Sequence, residues 1–220
     1  MFVGDRMTHR PVTVTEDTSI DRALELMRQE QVRRFPVLSK RGELVGIVSE
    51  KDLLYASPSP ATSLSIYEIP YLLSKIEMRD LMTKEVITVT EDTPLEEAAR
   101  IMADNRIGGL PVTRDGKLVG IITETDMFKI FLELFAAREE GVRLTMLVPG
   151  EKGTLAKIAG KIAEMDGNIL ALGTIMGEDP TNYELMAKVA DVPEEQLVEA
   201  MEDLDMKLLD ARYCTSPSCE

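Results

Sequence analysis

One stretch of this chain is written twice. Met7-Thr8 through Pro36-Val37 returns as Met82-Thr83 through Pro111-Val112 at an offset of 75 residues, and Thr15-Glu16-Asp17-Thr18 recurs without a mismatch as Thr90-Glu91-Asp92-Thr93. Ala23 meets Ala98 and Met27 meets Met102. Beyond the Pro the offset falls to 74, because the first turn is one residue longer; Gly42, Val45, Gly46 and Asp52 then meet Gly116, Val119, Gly120 and Asp126. A repeat of this length commits the chain to two like units, neither large enough to cover its own sheet, packed against each other.

Each copy carries the same element signals. Val12-Thr13-Val14 reads as a short β-branched strand, and Asp17-Thr18-Ser19 offers capping side chains for a helix whose Ile20, Ala23, Leu24 and Met27 recur at helical spacing. Phe35–Leu38 and Leu44–Val48 flank a Gly turn, and Ser49 opens a final short helix. The order is β-α-β-β-α. Ser57-Pro58-Ser59-Pro60-Ala61-Thr62-Ser63 breaks the chain between copies, and Leu64, Tyr67, Leu72 and Leu73 suggest a connecting helix. Met127–Phe135 is apolar on more than one face, the pattern of a helix buried between domains or subunits.

The last third has a different rhythm. A strand over Val142–Val148 precedes the loop Pro149–Gly153. A helix opened by Thr154 turns Leu155, Ile158, Ala159 and Ile162 inward. Strands follow at Ile169–Met176 and Asn182–Ala190, then a helix after Pro193 with Leu197, Ala200, Met201 and Leu204 inward, and a closing strand over Lys207–Tyr213. That order, β-α-β-β-α-β, is ferredoxin-like. The fold class is α+β, with boundaries at 1–56 for the first repeat, 57–77 for the linker, 78–135 for the second repeat, 141–213 for the last domain and 214–220 for a tail.

Composition narrows the partners. The net charge is −14, yet residues 1–56 carry nine basic and nine acidic side chains, so the acidic excess lies wholly in the remainder. Such a surface repels a polyanion and argues against nucleic acid, while leaving room for a local cationic pocket in the first repeat. No run approaches the length of a membrane span. The N-terminus lacks an export signal, and both cysteines, Cys214 and Cys219, sit at the end of the chain, which points to a cytoplasmic protein. One His, no metal-ligand cluster, no Gly-rich phosphate loop and no nucleophile–base pair argue against an enzyme. His9 reads as a surface residue, and the repeat-equivalent Met7, Met27, Met82 and Met102 read as core.

The chemistry-bearing pattern is hydroxyl-x-x-carboxylate at the end of each hairpin: Ser49-x-x-Asp52 and Thr123-x-x-Asp126. By itself it is also an ordinary helix-capping pattern. Repeated at the same place in both copies, it resembles the CBS domain, as do Met-Thr, Thr-x-Asp-Thr, Arg-Phe-Pro-Val or Gly-Leu-Pro-Val, and Gly-Ile-Val-Ser-x-x-Asp or Gly-Ile-Ile-Thr-x-x-Asp. The resemblance covers roughly residues 3–130 and implies a tandem pair, or Bateman module, with pseudo-twofold symmetry. Val-Pro-x-x-x-Gly-x-Leu-Ala-x-Ile-Ala followed by Gly167-Asn168-Ile169 resembles the ACT domain. A CBS pair followed by ACT is similar to the AcuB-like proteins of acetoin utilisation.

The CBS resemblance implies a non-catalytic sensor of an adenine nucleotide or another adenosyl ligand (AMP, ADP or ATP among them), held in two clefts and controlling a protein target. Asp52 and Asp126 can each accept both hydrogens of a ribose diol, and Ser49 and Thr123 can donate to a phosphate at a helix N-terminus. The family's adenine slot corresponds to Val12 and Val32 in copy one and to Ile87 and Ile107 in copy two. Arg33, Arg34 and Lys51 in copy one stand where copy two has Gly108, Gly109 and Thr125, so the charged-ligand cleft is assigned to Asp52. The cleft of Asp126 is left empty, filled by a less charged adenosyl ligand, or served by His9 and Arg10. The ACT resemblance implies an amino-acid effector at Glu151, Lys152, Gly153, Asn168 and Ile169, or else a surface that only joins subunits. Both resemblances imply a homodimer. The alternatives to a sensor are a structural adaptor with vestigial clefts and a nucleotide-dependent enzyme.

Overall fold

The computed structural model describes residues 1–56, 73–177, 180–204 and 206–215. The Ser-Pro break, most of the expected connecting helix and Cys219 lie outside these residues. The chain forms two compact units, Met1–Met127 and Phe128–Glu220.

In the first unit, the first repeat comprises α1 (Val3–Arg6), β1 (Thr8–His9), β2 (Val14–Thr15), α2 (Ile20–Glu30), β3 (Arg34–Leu38), β4 (Leu44–Ser49) and α3 (Glu50–Ala56). The second comprises α4 (Met78–Leu81), α5 (Leu95–Asn105), β5 (Gly109–Arg114), β6 (Lys117–Thr123) and the start of α6 (Glu124–Leu134), which continues past Met127 into the second unit. Helices α2 and α5 bury the repeat-equivalent triads Ile20, Ala23, Met27 and Leu95, Ala98, Met102, the stripe that helical spacing predicts. Both end on a left-handed residue, Gln31 and Arg106.

Two local expectations change. The first strand signal resolves into β1 and β2 on either side of Val12, rather than a strand over Val12–Val14. Ser19 occupies the N-cap of α2 without a side-chain bond. The Thr-Glu-Asp-Thr motif instead closes its own turn: Thr15 Oγ1 donates to Asp17 at 2.5 Å and the Thr15 N–H to Thr18 Oγ1 at 3.1 Å. The second copy repeats this with Thr90, Asp92 and Thr93. Short hydroxyl and carboxylate side chains compete well for nearby backbone groups, and here the turn takes them before the helix can.

The decisive topological feature is an exchange of leading segments. The sheets are ordered β1-β6-β5 and β2-β3-β4, so β1 of the first repeat joins the sheet of the second, with Thr8 opposite Ile121. Reciprocally, Thr83 bridges Ile47 of the first repeat. The Val3 and Gly4 N–H groups bond the Thr93 and Glu91 carbonyls, while those of Met78 and Arg79 bond Thr18 and Glu16. Met78 is fully buried in the core formed by Val14, Ile20, Ala23, Met27, Phe35, Val37, Val48 and Leu53. Gly46 and Gly120 permit the crossing: a Cβ at either would overlap the side chain of Met82 or Met7. Each half of the unit is therefore built from both repeats.

The second unit contains β7 (Gly141–Pro149), α7 (Thr154–Glu164), β8 (Asn168–Met176), β9 (Asn182–Ala190), α8 (Glu194–Glu202) and β10 (Lys207–Cys214). All pairings in its sheet, β10-β7-β9-β8, are antiparallel. Val142, Leu144, Met146 and Val148 alternate along β7 into a core shared with Leu185, Ala187, Val189, Ile158, Ile162, Leu197, Ala200 and Met201, the period of a sheet covered on one face. Leu155 lies on the exposed side of α7, not the inward one. Thr154 is not a cap either. Gly153, with φ 91°, holds the N-cap, and the Thr154 hydroxyl donates back to the Pro149 and Glu151 carbonyls. Cys214 closes β10 opposite Gly141 and is not part of a loose tail.

The segment Met127–Phe135 is not buried in the single chain. Ile130 is buried, whereas Phe128 is 70% exposed and Phe131, Leu132 and Leu134 are also exposed. Within the second unit, Phe135 packs over Gly173, and the buried Lys188 donates to the Ala136 carbonyl at 2.9 Å. Among the described residues no helix is long and apolar enough to cross a membrane.

Candidate functional site: a composite cleft

The exchange of segments places residues of both repeats around one cavity of about 500 Å³, within the usual range for small-molecule sites. The first repeat contributes Arg33, Arg34, Ile47, Ser49, Glu50, Lys51 and Asp52. The second contributes Thr83, Glu85, Val86, Ile87, Arg106, Ile107, Gly108, Gly109, Pro111 and Glu124. The Ile47–Thr83 bridge sets this arrangement, since it lays the 83–87 segment beside β4 and the start of α3.

At the end of β4, the Ser49 backbone N–H and hydroxyl donate to Asp52 Oδ2 at 2.8 and 2.7 Å, and the Asp52 N–H donates to Ser49 Oγ at 3.4 Å. Thr123 and Asp126 do the same at 2.9, 2.7 and 3.4 Å. The motif therefore does cap a helix in both copies. In each copy both bonds to the carboxylate use Oδ2, so the second carboxylate oxygen, Oδ1, is the acceptor that a ligand hydroxyl would address.

The cleft's electrostatics are more balanced than the basic residues of the first repeat suggest. Arg33, Arg34, Lys51 and Arg106 share it with Glu50, Asp52, Glu85 and Glu124. The Arg34 guanidinium lies 3.8 Å from the Glu124 carboxylate, and the Lys51 ammonium sits 5.4 Å from the centroid of the exposed Tyr55 ring, a cation–π contact that turns it away from a purely phosphate-directed role.

Of the residues singled out for a nucleotide, Arg33, Arg34, Ser49, Lys51, Asp52, Ile87 and Ile107 come together here. Val12, Val32, Thr123 and Asp126 do not. Asp52 shares its cavity with Ile87 and Ile107 of the other repeat, whereas Val12 and Val32 pack against the first core. Gly108 and Gly109, set against Arg33 and Arg34 as features of a different cleft, line the same one. The Thr8–Ile121 pairing, which mirrors Thr83–Ile47, gives residues 8–12 the corresponding relation to Thr123 and Asp126. Arg106, Glu85, Val86 and Glu124 were missed. Their only signal is the repeat offset combined with the exchange, and the exchange is not legible in local pattern.

In the second unit, Glu151, Lys152, Gly153 and Asn168 are exposed, while Ile169 packs against the core. Its side chain serves packing rather than an open surface. Among the described residues no group of three or more His, Cys, Asp or Glu side chains is arranged to hold a metal.

Two β-α-β-β-α repeats sharing a composite cleft define a duplicated module. The CBS domain family matches residues 3–59 and 78–133, and the chain belongs to that family. The uncharacterized protein MJ1426 of Methanocaldococcus jannaschii is 34% identical over 155 residues, covering 60% of this chain and 92% of that protein. The crystal structure of a putative acetoin utilization protein (AcuB) from Vibrio cholerae aligns with a TM-score of 0.51 and 32% identity, over 63% of this chain and 98% of that one. The CBS domain pair of protein MJ0100, in complex with 5'-methylthioadenosine and S-adenosyl-L-methionine, aligns with a TM-score of 0.50 and 28% identity, over 60% of this chain and 95% of that one.

Proposed function

We propose that the chain is a non-catalytic regulatory sensor that binds an adenosine-containing ligand in the composite cleft. The observation that carries this reading is the convergence of a carboxylate (Asp52), arginines (Arg33 and Arg34) and an apolar pair (Ile87 and Ile107) around one cavity of suitable size. Asp52 serves the ribose diol, the isoleucines the adenine, and Arg34 a phosphate or carboxylate. The adenosyl ligands of the MJ0100 pair support the ligand class. Thr123 and Asp126, with Val12 and Val32, are assigned to a pseudo-symmetric second cleft, where Gly108 and Gly109 take the places that Arg33 and Arg34 hold beside Asp52.

The β-α-β-β-α-β unit is read as an ACT domain that takes an amino acid near Gly153 and Asn168 or joins subunits. The exposed Phe128, Phe131 and Leu134 support a homodimer. Control of a cytoplasmic protein target, in acetoin or carbon metabolism, rests on the likeness to the AcuB protein.

Calorimetric titration with adenosine, AMP, ATP and S-adenosylmethionine tests the core of the proposal. At least one binds, and Asp52→Ala weakens it by about tenfold or more, the worth of a charge-assisted hydrogen bond. Failure of all four to bind, or an unchanged affinity in the variant, favours an adaptor with vestigial clefts.

A further inference from the structure

We propose that Glu124 is a built-in competitor for the anion subsite beside Arg34 and thereby sets which ligand charge the cleft accepts. The inference rests on the adenosyl-ligand reading but concerns a residue that no motif marks.

Glu124 is the first residue of α6, and its backbone N–H is tied to the Gly108 carbonyl at 3.2 Å. The tie fixes where its side chain starts. Its carboxylate and the Arg34 guanidinium both lie over Gly108, where a Cβ would overlap Arg34 Nη2 and crowd Glu124 Oε2. Gly108 is absent from the residues with positive φ, so it supplies space here, not backbone freedom. The first repeat has Arg33 at the equivalent place. Arg34 and Glu124 can therefore meet only because the second repeat has no side chain between them.

The pair is built to yield. Its 3.8 Å separation contrasts with 2.5 and 2.7 Å for Arg114–Glu91 and with 2.6 and 2.8 Å for Arg100–Glu97. No hydrogen bond holds it. Arg34 is the more enclosed partner, with 27% of its side chain exposed against 58% for Glu124. An incoming phosphate would meet Arg34 already facing a carboxylate, and would have to displace that carboxylate or accept its repulsion. Each added ligand charge raises this cost, while an uncharged ribonucleoside avoids it. The offset-related pair in the second cleft would be Gly109 and Glu50, which lacks the arginine, so the competition belongs to the Asp52 cleft.

The test compares adenosine, AMP and magnesium-free ATP on the full chain and on Glu124→Gln, which keeps the shape and removes the charge. AMP affinity rises about threefold to fivefold, the scale of a partly exposed ion pair. ATP gains at least as much, adenosine moves less than about twofold, and the gain is lost in an Arg34→Gln background. An equal change for adenosine and AMP, or none for AMP, overturns the proposal. Inorganic pyrophosphate is the second probe and separates the two readings. If neither adenosine nor AMP binds, the adenosyl-ligand reading fails, yet Glu124→Gln still tightens pyrophosphate if the competition is real. Pyrophosphate affinity that is unchanged, or undetectable in both proteins, overturns it.

Discussion

At the scale of the residue, equivalent positions in the two repeats have been given unequal electrostatic work. Arg114 binds Glu91 with two hydrogen bonds, at 2.5 and 2.7 Å. The matching place in the first repeat has Lys40, which lies 3.8 Å from Asp17 and not beside Glu16, the counterpart of Glu91. The Arg114 hydrogen bonds hold the Glu91 carboxyl below its ordinary value of 4.5. A carboxylate whose folded pKa is depressed stabilises the fold above its unfolded pKa and loses that contribution as pH falls through the folded one. Glu91→Gln should therefore lower Tm near pH 7, with the gap to wild type closing below about pH 4.5. The same gap at about pH 3.5 as at pH 7 would show that the variant acts through packing instead. Ser49-x-x-Asp52 teaches a related lesson: the capping and ligand readings are compatible, because the cap uses Oδ2 of a carboxylate that has two oxygens.

At the scale of the element, the segment before each repeat matters more than its length suggests. Helix α4 is one turn long, yet its Met78 is fully buried in a core otherwise made by the first repeat. Met78→Ala should destabilise the first unit by about 2–5 kcal/mol, the range for emptying a buried Met site. Chemical denaturation checks this, and a loss below about 1 kcal/mol would mean that the site collapses around the smaller side chain. Helix α6 marks the limit of pattern reading. Its apolar content suggested burial between domains or subunits, but periodicity reports only that apolar residues are present, not what covers them. Phe128, Phe131 and Leu134 stay exposed in the single chain.

At the scale of the whole molecule, the exchange makes the two repeats interdependent. Residues 1–56 expressed alone should show no cooperative thermal transition, since Met78, Thr83 and their hydrogen bonds to the first repeat would be missing. A sharp transition by circular dichroism, together with a monomer in solution, would refute the interdependence.

Much was legible in the residues alone. The repeat, its β-α-β-β-α order, the α2 and α5 core stripes, the β-α-β-β-α-β order of the last third and the chemical types needed in a cleft all follow from spacing and side-chain chemistry. These are local properties, carried by periods of two and 3.6 residues and by turn residues. What only the tertiary structure decided is which repeat completes which site. Thr8 pairs with Ile121 and Thr83 with Ile47, and nothing in either strand's own pattern names a partner so far along the chain. That pairing moves Ile87 and Ile107 to Asp52, seats Glu124 beside Arg34, and turns a seemingly cationic site into one of balanced charge.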